Sequence, residues 1–149
     1  MCGKDAAAVR IEFKLLHLDA RIPSKKRNTD AAYDVYTIEG ATIEWDDVIT
    51  LRTGIIVACP PGYYITVEGR SGLGKCGIVP FRGIIDSTYC GELMITLINM
   101  SKNLYVINKH DRIAQIMLHK QYDMEYQEVE EFGPDYNQRG IAGFASSGR

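Results

Sequence analysis

The sequence predicts an all-β fold, a sandwich or barrel of the jelly-roll type, and three observations support it. At residues 9–15, apolar side chains alternate with charged ones, and this period of two is typical of a half-buried strand. Short β-branched and aromatic runs follow at close intervals, separated by Gly, Pro, Asn or Asp. A helical period is almost absent, so we expect only one short helix, after Arg70.

The predicted strands after the first one are short, and each is bounded by turn residues. They are residues 48–57, 63–67, 78–79, 84–85, 93–98, 104–107 and 113–118. Ser87, Thr88 and Gly91 supply turn chemistry between two of these runs. The segment from residue 84 to residue 98 is therefore predicted to form a β-hairpin.

Composition and charge narrow the class of protein. The chain has 149 residues, of which 46% are hydrophobic and 24% charged, so it is long enough for a single domain with a substantial core. A net charge of -2 does not favour a nucleic-acid partner. The four cysteines show no zinc spacing, which favours reduced thiols in an intracellular protein.

The sequence also bears on the location of the protein and on its division into domains. No apolar run approaches membrane-spanning length and the N-terminal segment has no signal-peptide core, so we expect no membrane partner and a cytoplasmic or nuclear, not secreted, protein. Gly133 and Pro134 break regular structure, and a Gly-rich stretch follows them. The sequence thus predicts a β domain over residues 1–132 and a flexible arm over residues 133–149.

A lone carboxylate in a turn is the first candidate for chemistry. Asp86 closes an apolar strand, where an ionised carboxylate needs partners or water, and it is suited to act as a general base. Tyr89, on the same loop, can pack against a ring or a sugar. From this segment alone the alternative stays open that Asp86 caps the turn and Tyr89 fills the core.

Three further segments carry groups that suit an anion. Arg70 and Ser71 lie in a Gly-rich stretch at a strand end, and Gln115 places an amide within an apolar strand, where it must find partners. In the C-terminal stretch, Arg139 can bind a phosphate and Phe144 can stack on a planar ring, with serine hydroxyls beside them. A Gln bonded to a neighbouring loop and a flexible tail with an apolar anchor are the structural alternatives.

Five segments in order resemble the five motifs of the trimeric deoxyuridine triphosphatase (dUTPase) family. They are residues 30–35, 70–73, 83–92, 111–115 and 139–148, and five ordered motifs are far more specific than one. The resemblance implies a jelly-roll subunit in a homotrimer, with each active site built from three chains and the C-terminal arm exchanged onto a neighbour. It also implies hydrolysis of dUTP to dUMP and pyrophosphate, which limits uracil incorporation into DNA and supplies dUMP for thymidylate synthesis.

The resemblance implies a role for each matching residue. Asp86 would be the catalytic base for a water that attacks the α-phosphorus, and Tyr89 would lie against the deoxyribose. The backbone near Gly83 and Met94 would bind uracil. Mg²⁺ would be held by the triphosphate and by water, with Asp34 touching it only through water.

The remaining substrate contacts implied by the resemblance are to the phosphates and the base. Those from the body of the chain to the phosphates are Arg70, Ser71, Gly72 and Gln115. Those from the arm are Arg139, Ser146 and Ser147 at the γ-phosphate, and Phe144 over the uracil.

The chain departs from the family pattern at several positions, and two rival functions are consistent with parts of the sequence. Alanines stand at three positions where glycine is usual, and bulky Phe81 and Arg82 border the expected uracil slot; the alanines are Ala32, Ala142 and Ala145. A dCTP deaminase would carry its catalytic glutamate at the position of Thr96. A regulator that binds dUTP or a protein partner is the second rival.

Overall fold

The computed structural model describes residues 8–133, and nearly all regular structure in that range is β. The strands are β1 Glu12–Leu15, β2 Tyr33–Tyr36, β3 Ala41–Ile43, β4 Val48–Arg52, β5 Ile55–Ala58, β6 Tyr63–Glu68, β7 Ile78–Pro80, β8 Gly83–Asp86, β9 Met94–Asn99, β10 Tyr105–Ile107 and β11 Arg112–Lys120. A helix of one turn, α1 Ser71–Lys75, follows Arg70. The predicted all-β class and the single short helix are confirmed for this part of the chain.

The strands form four antiparallel sheets around one core. A four-stranded sheet has the order β2-β11-β6-β8 and a three-stranded sheet has the order β4-β9-β7, while β1 pairs with β5 and β10 with β3. One hydrophobic cluster draws buried side chains from every sheet, among them Ile43, Val57, Val67 and Leu97. The sheets therefore enclose a shared core, as the alternating pattern predicts.

The predicted strand over residues 48–57 is in fact two strands. Gly54 separates β4 from β5 and adopts a φ of 69°, a left-handed conformation that favours glycine. An added Cβ there would crowd Ala20, Ile38 and His17. The turn lets β4 pair with β9 while β5 pairs with β1. Two further strands, β2 and β3, were not among the predicted ones.

The predicted hairpin over residues 84–98 is wrong, because its two strands, β8 and β9, join different sheets. β7 pairs with β9 from Ile78 to Pro80, and the Phe81 N–H donates to the Thr96 carbonyl at 2.9 Å. Beyond that bond, the two strands of the predicted hairpin, β8 and β9, diverge. β8 pairs with β6, whereas the chain entering β9 is held by a bond from the Leu93 N–H to the Ile55 carbonyl.

After Lys120 the described chain leaves the sheets. Residues 122–133 have no regular structure and every one of them is exposed. Tyr122, Met124 and Tyr126 are 72–83% exposed and alternate with polar side chains. The boundary between domain and arm at residue 132 stays a prediction, since residues 134–149 lie outside the described range.

The remaining general expectations concern the membrane and the cysteines. Within residues 8–133, the single helix is far too short to cross a bilayer. Cys59, Cys76 and Cys90 form no disulfide, and Cys2 lies outside the described residues. Burial raises the pKa of the Cys59 thiol.

Candidate active site

A buried carboxylate organises the first half of the candidate site. Asp34, on β2, accepts hydrogen bonds from Arg70 Nε at 2.8 Å, from Gln115 Nε2 at 3.2 Å and from Arg112 Nη1 at 3.3 Å. Its side chain is only 10% exposed. Two guanidinium groups therefore share one carboxylate, which fixes their direction and leaves the cluster with a net positive charge. We call Asp34, Arg70, Arg112 and Gln115 the cation cluster.

A β-bulge brings two members of the cation cluster to the same carboxylate. Residues three apart on a regular strand face opposite sides of the sheet. In the β11–β2 ladder, however, Arg112 lies opposite Tyr36 and Ala114 opposite Val35, so Ile113 is an extra residue. This bulge lets Arg112 and Gln115 both reach Asp34.

Arg112 was missed as a site residue in the sequence, although it lies in a recognised motif. The only signal was its place at the start of the apolar strand that carries Gln115. Ile113 and Ala114 between them are fully buried, which anchors the bulge in the core. The cluster thus sits on well-packed backbone, and its geometry is fixed before any ligand arrives.

Arg70 reaches Asp34 from the turn between β6 and α1. Its backbone is extended, with φ -101° and ψ 134°, and a second donor of its guanidinium bonds the Arg112 carbonyl at 3.2 Å. Ser71 and Gly72 follow at the exposed start of α1. A Cβ added at Gly72 would meet no atom within 4 Å, so nothing within the described chain requires glycine there.

The second half of the candidate site is the loop after β8. Asp86 is exposed at the strand end, and no donor among residues 8–133 pairs with its carboxylate. The turn is closed instead by the Asp86 carbonyl, which accepts from the Tyr89 N–H at 3.0 Å. Tyr89 is 46% exposed. The structure therefore disfavours the two structural alternatives, a turn-capping carboxylate and a core tyrosine.

Glu92 fixes the exit of this loop and was not predicted as a site residue. Its carboxylate accepts from the Gly54 N–H at 2.8 Å and from Arg52 Nη2 at 3.1 Å. The Tyr89 hydroxyl bonds the Glu92 carbonyl at 3.1 Å, so the ring folds back over Gly91. The loop is thus tied to the β4–β5 turn while Asp86 stays free.

Gly83 begins β8 and Met94 begins β9, the two strands that diverge. β8 is the edge strand of its sheet, and β7 ends at Pro80, so β9 has no partner on that side next to Met94. The facing edges of these two strands therefore carry backbone groups with no ladder partner among residues 8–133. Between β7 and β8 in sequence, Phe81 is 54% exposed, and Arg82 is held by Glu68 at 3.0 Å.

Within one chain the two halves do not meet. Asp86 lies opposite Tyr64 at the start of β6, whereas Arg70 follows Glu68 at its end. Four residue steps along the strand separate Tyr64 from Glu68, about 13 Å at the usual rise per residue. Of the predicted site residues, the structure brings together Asp34, Arg70 and Gln115; it places Asp86 and Tyr89 apart from them, and four lie outside the described range: Arg139, Phe144, Ser146 and Ser147.

The described residues offer limited ligation for a metal. Residues 8–133 contain no group of three or more His, Cys, Asp or Glu side chains that could hold a metal ion. The Asp34 oxygens already accept three side-chain donors, two of them cationic. This donor set fits an ion held through water better than one bound directly to the carboxylate.

The fold and the two half-sites define a class: an all-β protein with a cluster of arginines suited to an anionic ligand and, on a separate loop, a carboxylate that no donor among residues 8–133 engages. The sequence model of the dUTPase family matches residues 19–148. The chain belongs to the dUTPase family.

Individual relatives agree with this assignment. The chain is 36% identical to the deoxyuridine 5'-triphosphate nucleotidohydrolase of Clostridioides difficile, over 93% of this chain and 97% of that protein. It is 37% identical to that of Kluyveromyces lactis, over 93% and 94% of the two chains. Among solved structures, the dUTPase of Staphylococcus bacteriophage 80alpha with dUpNHpp has a TM-score of 0.83 at 30% identity, covering 94% of this chain and 99% of that one.

A second phage structure bears on the metal. A mutant dUTPase from phage phi11 of S. aureus, whose structure shows the coordination of a structural Mg(II) ion, has a TM-score of 0.76 at 27% identity. The match covers 83% of this chain and 98% of that one.

Proposed function

We propose that this chain hydrolyses dUTP to dUMP and pyrophosphate, and thereby limits uracil incorporation into DNA and supplies dUMP for thymidylate synthesis. The observation that carries the proposal is the presence, in a member of the dUTPase family, of both a preorganised cation cluster and a carboxylate, that of Asp86, which no donor among residues 8–133 engages. The first suits a triphosphate and the second suits a water nucleophile.

Asp86 is the proposed general base. A water held by its carboxylate attacks the α-phosphorus, an O–P bond forms, and the bond from that phosphorus to the bridging oxygen breaks. Pyrophosphate leaves with the electron pair of the broken bond, and the carboxylate takes the proton of the water. The exposure of Asp86 and its lack of a partner among residues 8–133 support this role, because a carboxylate already in an ion pair would be a poorer acceptor.

The cation cluster is the proposed triphosphate site. Arg70 and Gln115 contact phosphate oxygens. The exposed backbone of Ser71 and Gly72 and the hydroxyl of Ser71 contact them as well. Asp34 holds the guanidiniums in place, so the cluster needs little reorganisation when the substrate binds. The open space over Gly72 supports an approach of the ligand to the backbone there. We assign the γ-phosphate contacts of the arm to Arg139, Ser146 and Ser147, with Phe144 over the uracil.

The diverging strands β8 and β9 form the proposed uracil site. The backbone near Gly83 and Met94 has free donors and acceptors that can pair with a base edge, and Tyr89 lies against the deoxyribose. The ion pair between Arg82 and Glu68 supports this role, because an Arg82 side chain held on β6 does not fill the proposed uracil site.

Mg²⁺ is the proposed cofactor, bound chiefly to the triphosphate and water. Asp34 contacts it only through a water molecule. The ion, when bound, neutralises phosphate charge as it develops. The engagement of both Asp34 oxygens supports an indirect contact.

We further propose a homotrimer whose active sites combine residues from different subunits. The separation of Asp86 from the cation cluster along β6 supports this, because one triphosphate nucleotide must reach both. The exposed stretch after Lys120 supports an arm that leaves its own subunit, since none of residues 8–133 covers its apolar side chains and a neighbouring chain would bury them.

The first experiment is pyrophosphate release by the purified protein with Mg²⁺, run in parallel on dUTP, dTTP, UTP and dCTP. We expect release from dUTP alone. Ammonia release from dCTP would favour the deaminase rival, although Thr96 bonds Thr50 Oγ1 at 2.8 Å and offers no carboxylate. Binding of dUTP without any release would favour the regulator and contradict the proposed reaction.

A substitution at Gly91 tests the assignment of Tyr89. The Gly91 backbone needs no left-handed φ, but an added Cβ would overlap the ring and hydroxyl of Tyr89. In Gly91→Ala the ring must therefore move away from its bond to Glu92, while the fold tolerates the methyl. We expect kcat/KM for dUTP to fall about tenfold or more, as misplaced contacts do, and the preference for dUTP over UTP to weaken.

The measurement is kcat/KM for dUTP and UTP beside the melting temperature. Cys90→Ala is the matched control, because its exposed side chain makes only a weak contact with the Thr88 carbonyl at 3.5 Å in the same loop. We expect that control to behave as wild type. An unchanged dUTP-to-UTP ratio in Gly91→Ala would remove Tyr89 from the sugar site.

A further inference from the structure

The turn before β11, the strand that carries Arg112 and Gln115 of the cation cluster, contains a strained residue that the proposed mechanism does not use. His110 has a φ of 71°, one of two non-glycine residues in the described chain with a positive φ. Such a conformation costs a non-glycine residue about 1 kcal/mol or more and persists only where the surroundings hold it. His110 is two residues before Arg112, so what holds it also bears on the cation cluster.

Both ring nitrogens of His110 are engaged by the loop over residues 17–22. Arg21 Nη2 lies 2.9 Å from Nδ1, and the Asp19 carbonyl oxygen lies 3.1 Å from Nε2. A guanidinium can only donate and a carbonyl can only accept. The contacts therefore require the neutral ring with its proton on Nε2, because a proton on Nδ1 would point at the cationic Arg21.

The backbone of the same residue starts the ladder that carries Arg112. The His110 N–H donates to the Thr37 carbonyl at 2.9 Å, and the Thr37 N–H donates to the Asp111 carbonyl at 3.1 Å. The next pair in this ladder is Arg112 with Tyr36, directly before the bulge. The ring contacts thus fix the turn from which Arg112 enters its strand.

The charged groups on the elements around the ring are engaged by other partners as well. The Asp19 carboxylate is paired with Lys109 and lies 3.4 Å from His17 Nδ1. The hydrogen bond from Lys109 is the main cause that lowers the pKa of Asp19. Asp111 accepts the Asn108 N–H at 2.8 Å, and Arg21 itself lies over the Tyr36 ring at 5.8 Å.

We propose that the neutral His110 ring is a positioning group for Arg112. By joining residues 19–21 to the turn at 108–111, it sets where β11 begins. Loss of the contact between His110 and Arg21 loosens that turn and weakens triphosphate binding. The proposal rests on the proposed function only for its kinetic readout.

The structural part of the test needs no substrate. Long-range ¹H–¹⁵N correlation spectra of the imidazoles at pH 8 should show His110 as the Nε2–H tautomer, assigned by its absence in His110→Asn. A ring with its proton on Nδ1, or an equal mixture of tautomers, would overturn the proposal whether or not dUTP is hydrolysed.

The kinetic part uses His110→Asn, since asparagine tolerates a left-handed φ but lacks the ring that joins Arg21 to the Asp19 carbonyl. At pH 8 we expect KM for dUTP to rise about fivefold, or about 1 kcal/mol, with kcat little changed. A raised KM with an unchanged kcat distinguishes the positioning of Arg112 from a general loss of active protein.

His17→Asn is the control, because it removes a neighbouring imidazole that contacts only Asp19. We expect it to retain the wild-type KM. An identical KM in wild type and His110→Asn would overturn the positioning role. So would a rise of KM in His17→Asn as large as that in His110→Asn.

Discussion

Asp86→Asn should lose about 10²- to 10⁴-fold in kcat, the usual contribution of a positioned general base, while dUTP still binds. The asparagine has the same shape but cannot take the proton of the attacking water. The carboxylate is exposed and makes no ion pair within residues 8–133, so its removal should not disturb the fold. The free energy of unfolding should therefore stay close to that of the wild type.

The measurement pairs pyrophosphate release from dUTP with calorimetric binding of a non-hydrolysable dUTP analogue. Asp46→Asn is the matched control, because Asp46 is exposed and its φ of 66° is one that asparagine also adopts. The control should retain wild-type kcat. Loss of binding together with turnover in Asp86→Asn would contradict the role of a base and assign Asp86 to substrate binding instead.

The fold was largely predictable because most strands alternate in burial. The period of two located the first strand, and apolar runs bounded by turn residues located later ones such as β11, which does not alternate in burial. β2 escaped prediction because it is short and carries a buried carboxylate, Asp34, which is tolerated only through Arg70, Arg112 and Gln115. No local pattern reveals partners that lie 36 or more residues away along the chain.

Turn residues located the loop after β8 but not its sheet partners. Ser87, Thr88 and Gly91 do form a turn, yet β8 and β9 pair with β6 and β4. Which edge a strand joins depends on long-range contacts, such as Glu92 with the β4–β5 turn. The prediction of a simple hairpin therefore had the right residues and the wrong pairing.

The site residues divide in the same way. Asp86, Tyr89, Arg70 and Gln115 could be chosen from their residue types and from the order of the motifs. Arg112 could not, because the bulge at residue 113 overrides the alternation that would direct its side chain away from Asp34. A bulge is set by packing of the whole ladder, and the buried pair after Arg112 is its only trace in the sequence.

The two halves of the site also differ in what they tolerate. Asp86 engages no donor among residues 8–133, so its half of the site contributes little to structural stability. The cation cluster is partly buried and interdependent, so its proposed phosphate binding should be coupled to folding. Substitutions in the first half should act on kcat, and those in the second on KM and stability together.

Asp34→Asn should show the second behaviour. The amide keeps an acceptor for Arg70 but removes the negative charge between two guanidiniums, and its NH₂ group faces the Arg112 donor. We expect a loss of about 2 kcal/mol in the free energy of unfolding, and a rise of roughly tenfold or more in KM for dUTP. Chemical denaturation and steady-state kinetics measure the two effects. A stable variant with wild-type KM would contradict the role of the cluster.

The same two variants test whether each active site is shared between chains. Subunits of Asp86→Asn and Asp34→Asn, refolded together in equal amounts, form mixed trimers in which some sites join an intact Asp86 from one chain to an intact Asp34 from another. Random assembly of a cyclic trimer should restore about a quarter of wild-type activity at low dUTP. A site confined to one chain gains nothing from mixing, because every chain then carries one defect. Recovery would therefore show that the distance along β6 is bridged by a neighbouring subunit.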